Sequence, residues 1–125
     1  GEPFLQGMTD PGEFPAWLPE EEIDYLVKEF EGSGFRGPLN RYRNFHRDFA
    51  SASRHAGKKI TQPALFMAGE RDVGIRMFGR DVEPRMREHF TDLRGFHLIP
   101  GAGHWNQQEK PAETNRLLLD WLKGL

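Results

Sequence analysis

Two short apolar runs constrain this chain most: Ala64-Leu65-Phe66-Met67-Ala68-Gly69, and the stretch Gly95 to Ile99 containing Phe96, Leu98 and Ile99. Runs of this length bounded by turn residues read as buried strands. Ile60 and Pro63 lead into the first, and Pro63 stands at its opening residue, where a strand tolerates a missing donor. Between the runs a helix is predicted over 79–90, with Val82, Met86, His89 and Phe90 inward and Pro84 early enough to be tolerated. A final helix is predicted over 111–122, where Leu117, Leu118, Trp121 and Leu122 share one stripe. Strand, helix, strand, helix over 60–125 is a βαβα pattern and implies a parallel pair with a right-handed crossover.

Composition limits how complete such a sheet is. A parallel sheet covered on both faces carries several long Val/Ile/Leu runs. This chain of 125 residues is 37% hydrophobic with a mean hydropathy of -0.71, and it has only the two runs. Part of the sheet is therefore expected to lie outside this sequence. The net charge of -2, with both signs interspersed, gives no electrostatic case for nucleic acid or an anionic membrane surface. The absence of cysteine excludes disulfides and thiolate metal sites. No apolar stretch approaches the roughly 20 residues that span a bilayer, and the N-terminus has no signal-peptide pattern. A cytoplasmic location is the expectation.

The first half is helical with breaks. Residues 1–19 hold Pro3, Pro11, Pro15 and Pro19 among several glycines. They read as an extended segment or lid loop anchored by Phe4, Phe14 and Trp17, or equally as a tail. Pro19 then opens a helix with Glu20, Glu21 and Glu22 in its first turn, at the positive end of the dipole. Ile23, Leu26, Val27 and Phe30 form its apolar face, Tyr25 falls off it, and Gly32 and Gly34 end it. A second helix is predicted from Pro38, with Leu39, Tyr42, Phe45, His46 and Phe49 on one face. A tyrosine so placed is most often a core residue whose hydroxyl reaches one partner. His46 and His55 show no metal-ligand spacing. Residues 50–59 are small and polar, a linker by composition.

The chemistry-bearing residues follow the two strands. Asp72 stands just past the first, in Gly69-Glu70-Arg71-Asp72, and His104 just past the second, in Pro100-Gly101-Ala102-Gly103-His104-Trp105. A histidine in a glycine-rich loop is more often a surface or packing residue. An acid in the equivalent loop one βα unit earlier changes that weighting, because ligands and catalysis gather at the carboxyl ends of parallel strands. If the strands are neighbours, both side chains emerge on one sheet edge. A carboxylate beside an imidazole fixes its tautomer and stabilises the imidazolium, which makes an oriented general base. The order acid-then-histidine is that of α/β-hydrolases, in which a nucleophile comes first. No G-x-S-x-G and no strand–nucleophile–helix elbow precede Asp72, and Ser51 and Ser53 lie in the linker without glycine context.

Three stretches together carry a family resemblance: Gly34-Phe35-Arg36-Gly37-Pro38-Leu39-Asn40-Arg41-Tyr42-Arg43-Asn44, then Ala68-Gly69-Glu70-Arg71-Asp72, then Gly103-His104-Trp105. The chain resembles the soluble epoxide hydrolases of the α/β-hydrolase fold from about Trp17 to its C-terminus. The first stretch is specific to that family, whereas the aspartate and histidine motifs are shared with haloalkane dehalogenases and other relatives. The resemblance implies an α/β architecture, the C-terminal portion of an α/β-hydrolase fold: residues 1–56 a partial helical cap, and 57–125 the last strands and helices of the core. It implies that Tyr42 is a cap tyrosine that protonates the opening epoxide oxygen. It implies that His104 is the base that activates water against an alkyl-enzyme ester, and that Asp72 is its acidic partner. Trp105 is the expected substrate contact. The family's nucleophilic aspartate, its HGxP oxyanion loop and its second cap tyrosine do not occur here, and Arg41 stands where tryptophan is common.

The expectation is therefore a C-terminal piece that supplies acid, base and orienter, and that is inactive without the N-terminal part. Another cap-bearing hydrolase of the haloalkane dehalogenase type, with Tyr42 a packing residue, is the nearest alternative. A non-catalytic fragment acting as a binding or assembly module is the third. The expected partners are a small-molecule epoxide and the N-terminal portion of the same hydrolase, with a homodimer left open. No cofactor and no metal is implied.

Overall fold

The computed structural model describes residues 9–79 and 81–125, so Phe4 of the expected N-terminal segment lies outside the described residues. The chain divides into two compact units, Gly1–Asn44 and Phe45–Leu125.

In the first unit, residues 9–19 form no regular element among the prolines. Helix α1 (Glu20–Ser33) follows, with three glutamates in its first turn as expected. It runs through Gly32 and stops at Gly34, whose φ of 66° is left-handed and whose N–H donates to the Phe30 carbonyl at 2.8 Å. A residue without Cβ takes that conformation at no steric cost. The rings of Phe30 and Phe35 stack across it at 4.5 Å. Helix α2 (Arg36–Arg43) begins two residues before Pro38. No residue of α1 or α2 is buried; on the apolar face of α1, Ile23 and Phe30 are half-buried while Leu26 and Val27 are exposed.

The single helix expected from Pro38 to Phe49 is instead two. Asn44 has ψ near 0°, too far from the helical value to carry the ladder onward, and α3 (Phe45–Ala52) starts anew after it. The linker expected over 50–59 is correspondingly shorter. Helix α3 extends to Ala52, and a 3-10 turn over Ser53–His55 continues it, with Ser53 Oγ donating to the Ala50 carbonyl at 2.8 Å. Small residues such as Ala and Ser do not by themselves stop a helix. The turn to extended chain comes at Gly57, with φ 75°.

The second unit is built on strands β1 (Ala64–Gly69) and β2 (Leu93–Ile99), paired in parallel as the βαβα pattern requires. Ile60 makes an isolated bridge to Phe90 ahead of them. Strand β2 starts two residues earlier than expected, because an irregularity between Ala64 and Leu65 pairs those residues with Leu93 and Gly95 and leaves Arg94 over. Phe66 and Phe96 then lie opposite each other with rings stacked at 5.0 Å. The crossover is not one helix over 79–90 but two short ones, α4 (Val73–Phe78) and α5 (Val82–His89), separated at Gly79 with φ 77°. Val82 is buried and Met86 and Phe90 are half-buried, whereas His89, expected inward, is exposed. A four-residue helix, α6 (Asn106–Glu109), precedes α7 (Pro111–Lys123), which packs on both strands.

The core gathers at the carboxyl end of the sheet: Ala68, Val82, Ile99 and Ala102 are its buried apolar residues, with Asn106 and Thr114 buried beside them. Among the described residues no helix is long and apolar enough to cross a membrane.

Candidate active site

Both strands end in a tight turn, and the turns are laced together. Asp72 N–H closes Gly69–Asp72 onto the Gly69 carbonyl at 3.1 Å, and Ala102 N–H closes Ile99–Ala102 onto the Ile99 carbonyl at 3.3 Å. In the second turn Pro100 and Gly101 are the central residues, and Gly101 has φ 69°, the left-handed value a type II turn needs there. Glu70 N–H donates to the Ile99 carbonyl at 3.0 Å and Arg71 N–H to the Ala102 carbonyl at 2.8 Å. Glu70 Oε2 accepts from Gly101 N–H at 3.1 Å. The approach is so close that a Cβ on Gly69 would run into the carbonyls of Ala102 and Gly103.

Asp72 and His104 meet across these turns, 32 residues apart in sequence, with Asp72 Oδ2 2.9 Å from His104 Nδ1. Asp72 also caps α4: its Oδ1 accepts from Gly74 N–H at 2.7 Å. One oxygen thus fixes the carboxylate to the backbone while the other faces the ring. Burial pushes the Asp72 carboxyl up, but the His104 hydrogen bond, the Gly74 amide and the charge of the imidazolium together outweigh it. The group therefore lies below its usual 3.8. An ionised carboxylate only accepts, so the neutral imidazole carries its hydrogen on Nδ1 and leaves Nε2 as the free base. Exposure is unequal, 13% for the Asp72 side chain against 68% for His104. The acid is anchored and the base is open.

A cleft of about 590 Å³ within the second unit borders the pair, its walls including Phe66, Ile75 and Met86 beside Asp72 and His104. That size and mixture suit a small apolar ligand with a few polar contacts. Trp105 is 56% exposed and meets the His104 ring edge-on at 5.5 Å. Tyr42 lies on α2, in the first unit, with 63% of its surface exposed. Glu70 and Glu109, which hold the histidine loop, were not singled out from sequence. Their partners are backbone amides, and such bonds leave no periodic or motif signal.

Parallel strands that present an acid and a histidine from consecutive turns at their carboxyl ends define the class: the C-terminal portion of an α/β-hydrolase fold. No family model matches the chain. Among curated proteins it is 47% identical over 115 residues to Epoxide hydrolase B of Mycobacterium tuberculosis, covering 92% of this chain and 32% of that protein. It is 41% identical over 122 residues to Epoxide hydrolase A of the same organism, covering 98% and 37%. The crystal structure of Epoxide Hydrolase A from Mycobacterium thermoresistibile superposes with a TM-score of 0.81 at 42% identity, over 94% of this chain and 36% of that one. The chain thus spans about a third of the length of the curated relatives it matches. These relatives and solved structures are epoxide hydrolases, and this chain matches their C-terminal part.

Proposed function

We propose that the polypeptide carrying this chain hydrolyses epoxides to vicinal diols through a covalent alkyl-enzyme ester. The observation that carries this reading is the Asp72–His104 hydrogen bond of 2.9 Å, set at the sheet's carboxyl end in a chain that matches epoxide hydrolases. The nucleophile is a carboxylate on the N-terminal portion, outside this sequence. It attacks one ring carbon, the carbon–oxygen bond breaks, and the departing oxygen takes a proton from the Tyr42 phenol, a donor suited to charge that develops only as the ring opens. His104 Nε2 then takes a proton from water, and the hydroxide attacks the ester carbonyl. Collapse expels the alkoxide, which recovers that proton from the imidazolium and leaves as the diol. The carboxyl proton returns through water to the phenolate, so one water is consumed per epoxide. Asp72 holds the ring and stabilises the imidazolium between these steps. Trp105, beside the base, is the proposed substrate contact.

The test joins this chain to the N-terminal portion of Epoxide hydrolase B of Mycobacterium tuberculosis. The joined enzyme should turn over a small epoxide, and the chain alone should not. His104→Gln should form the ester without breaking it, so that mass spectrometry finds an adduct on an upstream carboxylate while turnover falls about 10³-fold or more. Tyr42→Phe should slow adduct formation about tenfold or more. Absence of any adduct in the glutamine variant sinks the two-step scheme, and unchanged turnover in the phenylalanine variant removes Tyr42 from it.

A further inference from the structure

We propose that Glu109 is the positioning residue for His104, acting through the backbone on both sides of it. Gly103 N–H donates to Glu109 Oε2 at 2.6 Å, and Trp105 N–H donates to Glu109 Oε1 at 3.0 Å. The two oxygens of one carboxylate therefore bracket the histidine, taking the amide before it and the amide after it. Glu109 is not among the residues that wall the cleft beside Asp72. It ends α6, and that short helix is tied down by Thr114 Oγ1, which donates to the Asn106 carbonyl at 3.0 Å in a buried contact. Gly103 completes the fit, because a Cβ there would sit 2.9 Å from Glu109 Oε1. The glycine before the histidine leaves room for the carboxylate that holds the loop.

The need for such a bracket follows from exposure. An imidazole with 68% of its side chain in solvent has few packing neighbours to fix its torsions. Asp72 restrains one ring nitrogen, but it does not stop the peptide units from rotating the ring away. Hydrogen bonds to a charged acceptor are about twice as strong as neutral ones, and two from one planar group set orientation as well as distance. The inference rests on the hydrolase reading for its catalytic meaning. The geometry it concerns can be measured whether or not that reading holds.

The experiment is nitrogen-15 NMR on the full chain, comparing wild type, Glu109→Gln and Asp72→Asn. Glutamine keeps the size of the side chain but replaces one acceptor oxygen with an NH2 that faces an amide donor. In the Glu109→Gln chain, hydrogen exchange at Gly103 and Trp105 should accelerate about tenfold or more. The His104 side-chain nitrogens should lose their preference for Nδ1–H and move toward the tautomer mixture of Asp72→Asn. Amides of β1 and β2 should keep their protection, which separates positioning from a general loss of structure. An unchanged His104 tautomer with an intact sheet overturns the proposal. If the glutamine variant does not fold, Glu109→Asp, which keeps the charge but withdraws it by one methylene, is read by the same signals. Loss of the sheet in both variants also overturns it, because Glu109 would then be holding the fold rather than the histidine.

Discussion

Asp72 divides one carboxylate between two tasks, capping α4 through Oδ1 and holding His104 through Oδ2. Because its folded pKa is depressed, the stability it contributes is present above the usual carboxylate value of 3.8 and is lost as pH falls through the folded value. Asp72→Asn should therefore cost about 2 kcal/mol near pH 7, the worth of hydrogen bonds to a charged group. The gap between variant and wild type should close in acid, as read by urea unfolding at neutral pH and again below 3.8. A gap that stays constant with pH would mean that the ionised carboxylate contributes nothing special. At this scale the sequence revealed the pair because each member stands one turn beyond an apolar run. It concealed Glu70 and Glu109, whose work is done on amide hydrogens that every residue type except proline supplies.

Elements with a clear helical period or an unbroken apolar run were readable, and short elements with neither were not. Helices α1 and α7 and strand β1 fall within one or two residues of their expected limits. Helix α4 has six residues and α6 four, too few for an apolar stripe. The Asn44 break between α2 and α3 carries no signature either, for the apolar rhythm continues across it. Close approach of β1 to the histidine loop makes its last glycine strict, and contrasts it with the glycine of β2. Gly69→Ala should destabilise the chain by about 3 kcal/mol or more, since the obstruction is the backbone of Ala102 and Gly103. Gly95→Ala meets the end of the Leu65 side chain at 2.6 Å, which can swing aside, and should cost about 1 kcal/mol. Equal unfolding midpoints for the two variants would contradict this reading of the turn.

Across the whole molecule the lean composition and the scarcity of apolar runs are matched by a two-stranded sheet and a small core. Ile99, 1% exposed, is the largest fully buried side chain among the described residues. Ile99→Ala should cost about 3 kcal/mol, a large share of the 5–15 kcal/mol that holds a typical domain together. A thermal transition that stays in place would show that the core lies elsewhere. Sequence alone could not have located it, because exposed Leu39, Phe45, Phe49 and Leu119 are as apolar as the residues that are buried.

The lacing of the two turns has a dynamic consequence. Acid and base ride on segments that share three hydrogen bonds, through Glu70 N–H, Arg71 N–H and the Glu70 carboxylate. Random thermal breathing therefore moves them in concert. Separating the two turns requires all three links to yield at once, so small excursions of that end of the sheet carry the backbone beneath Asp72 and His104 together.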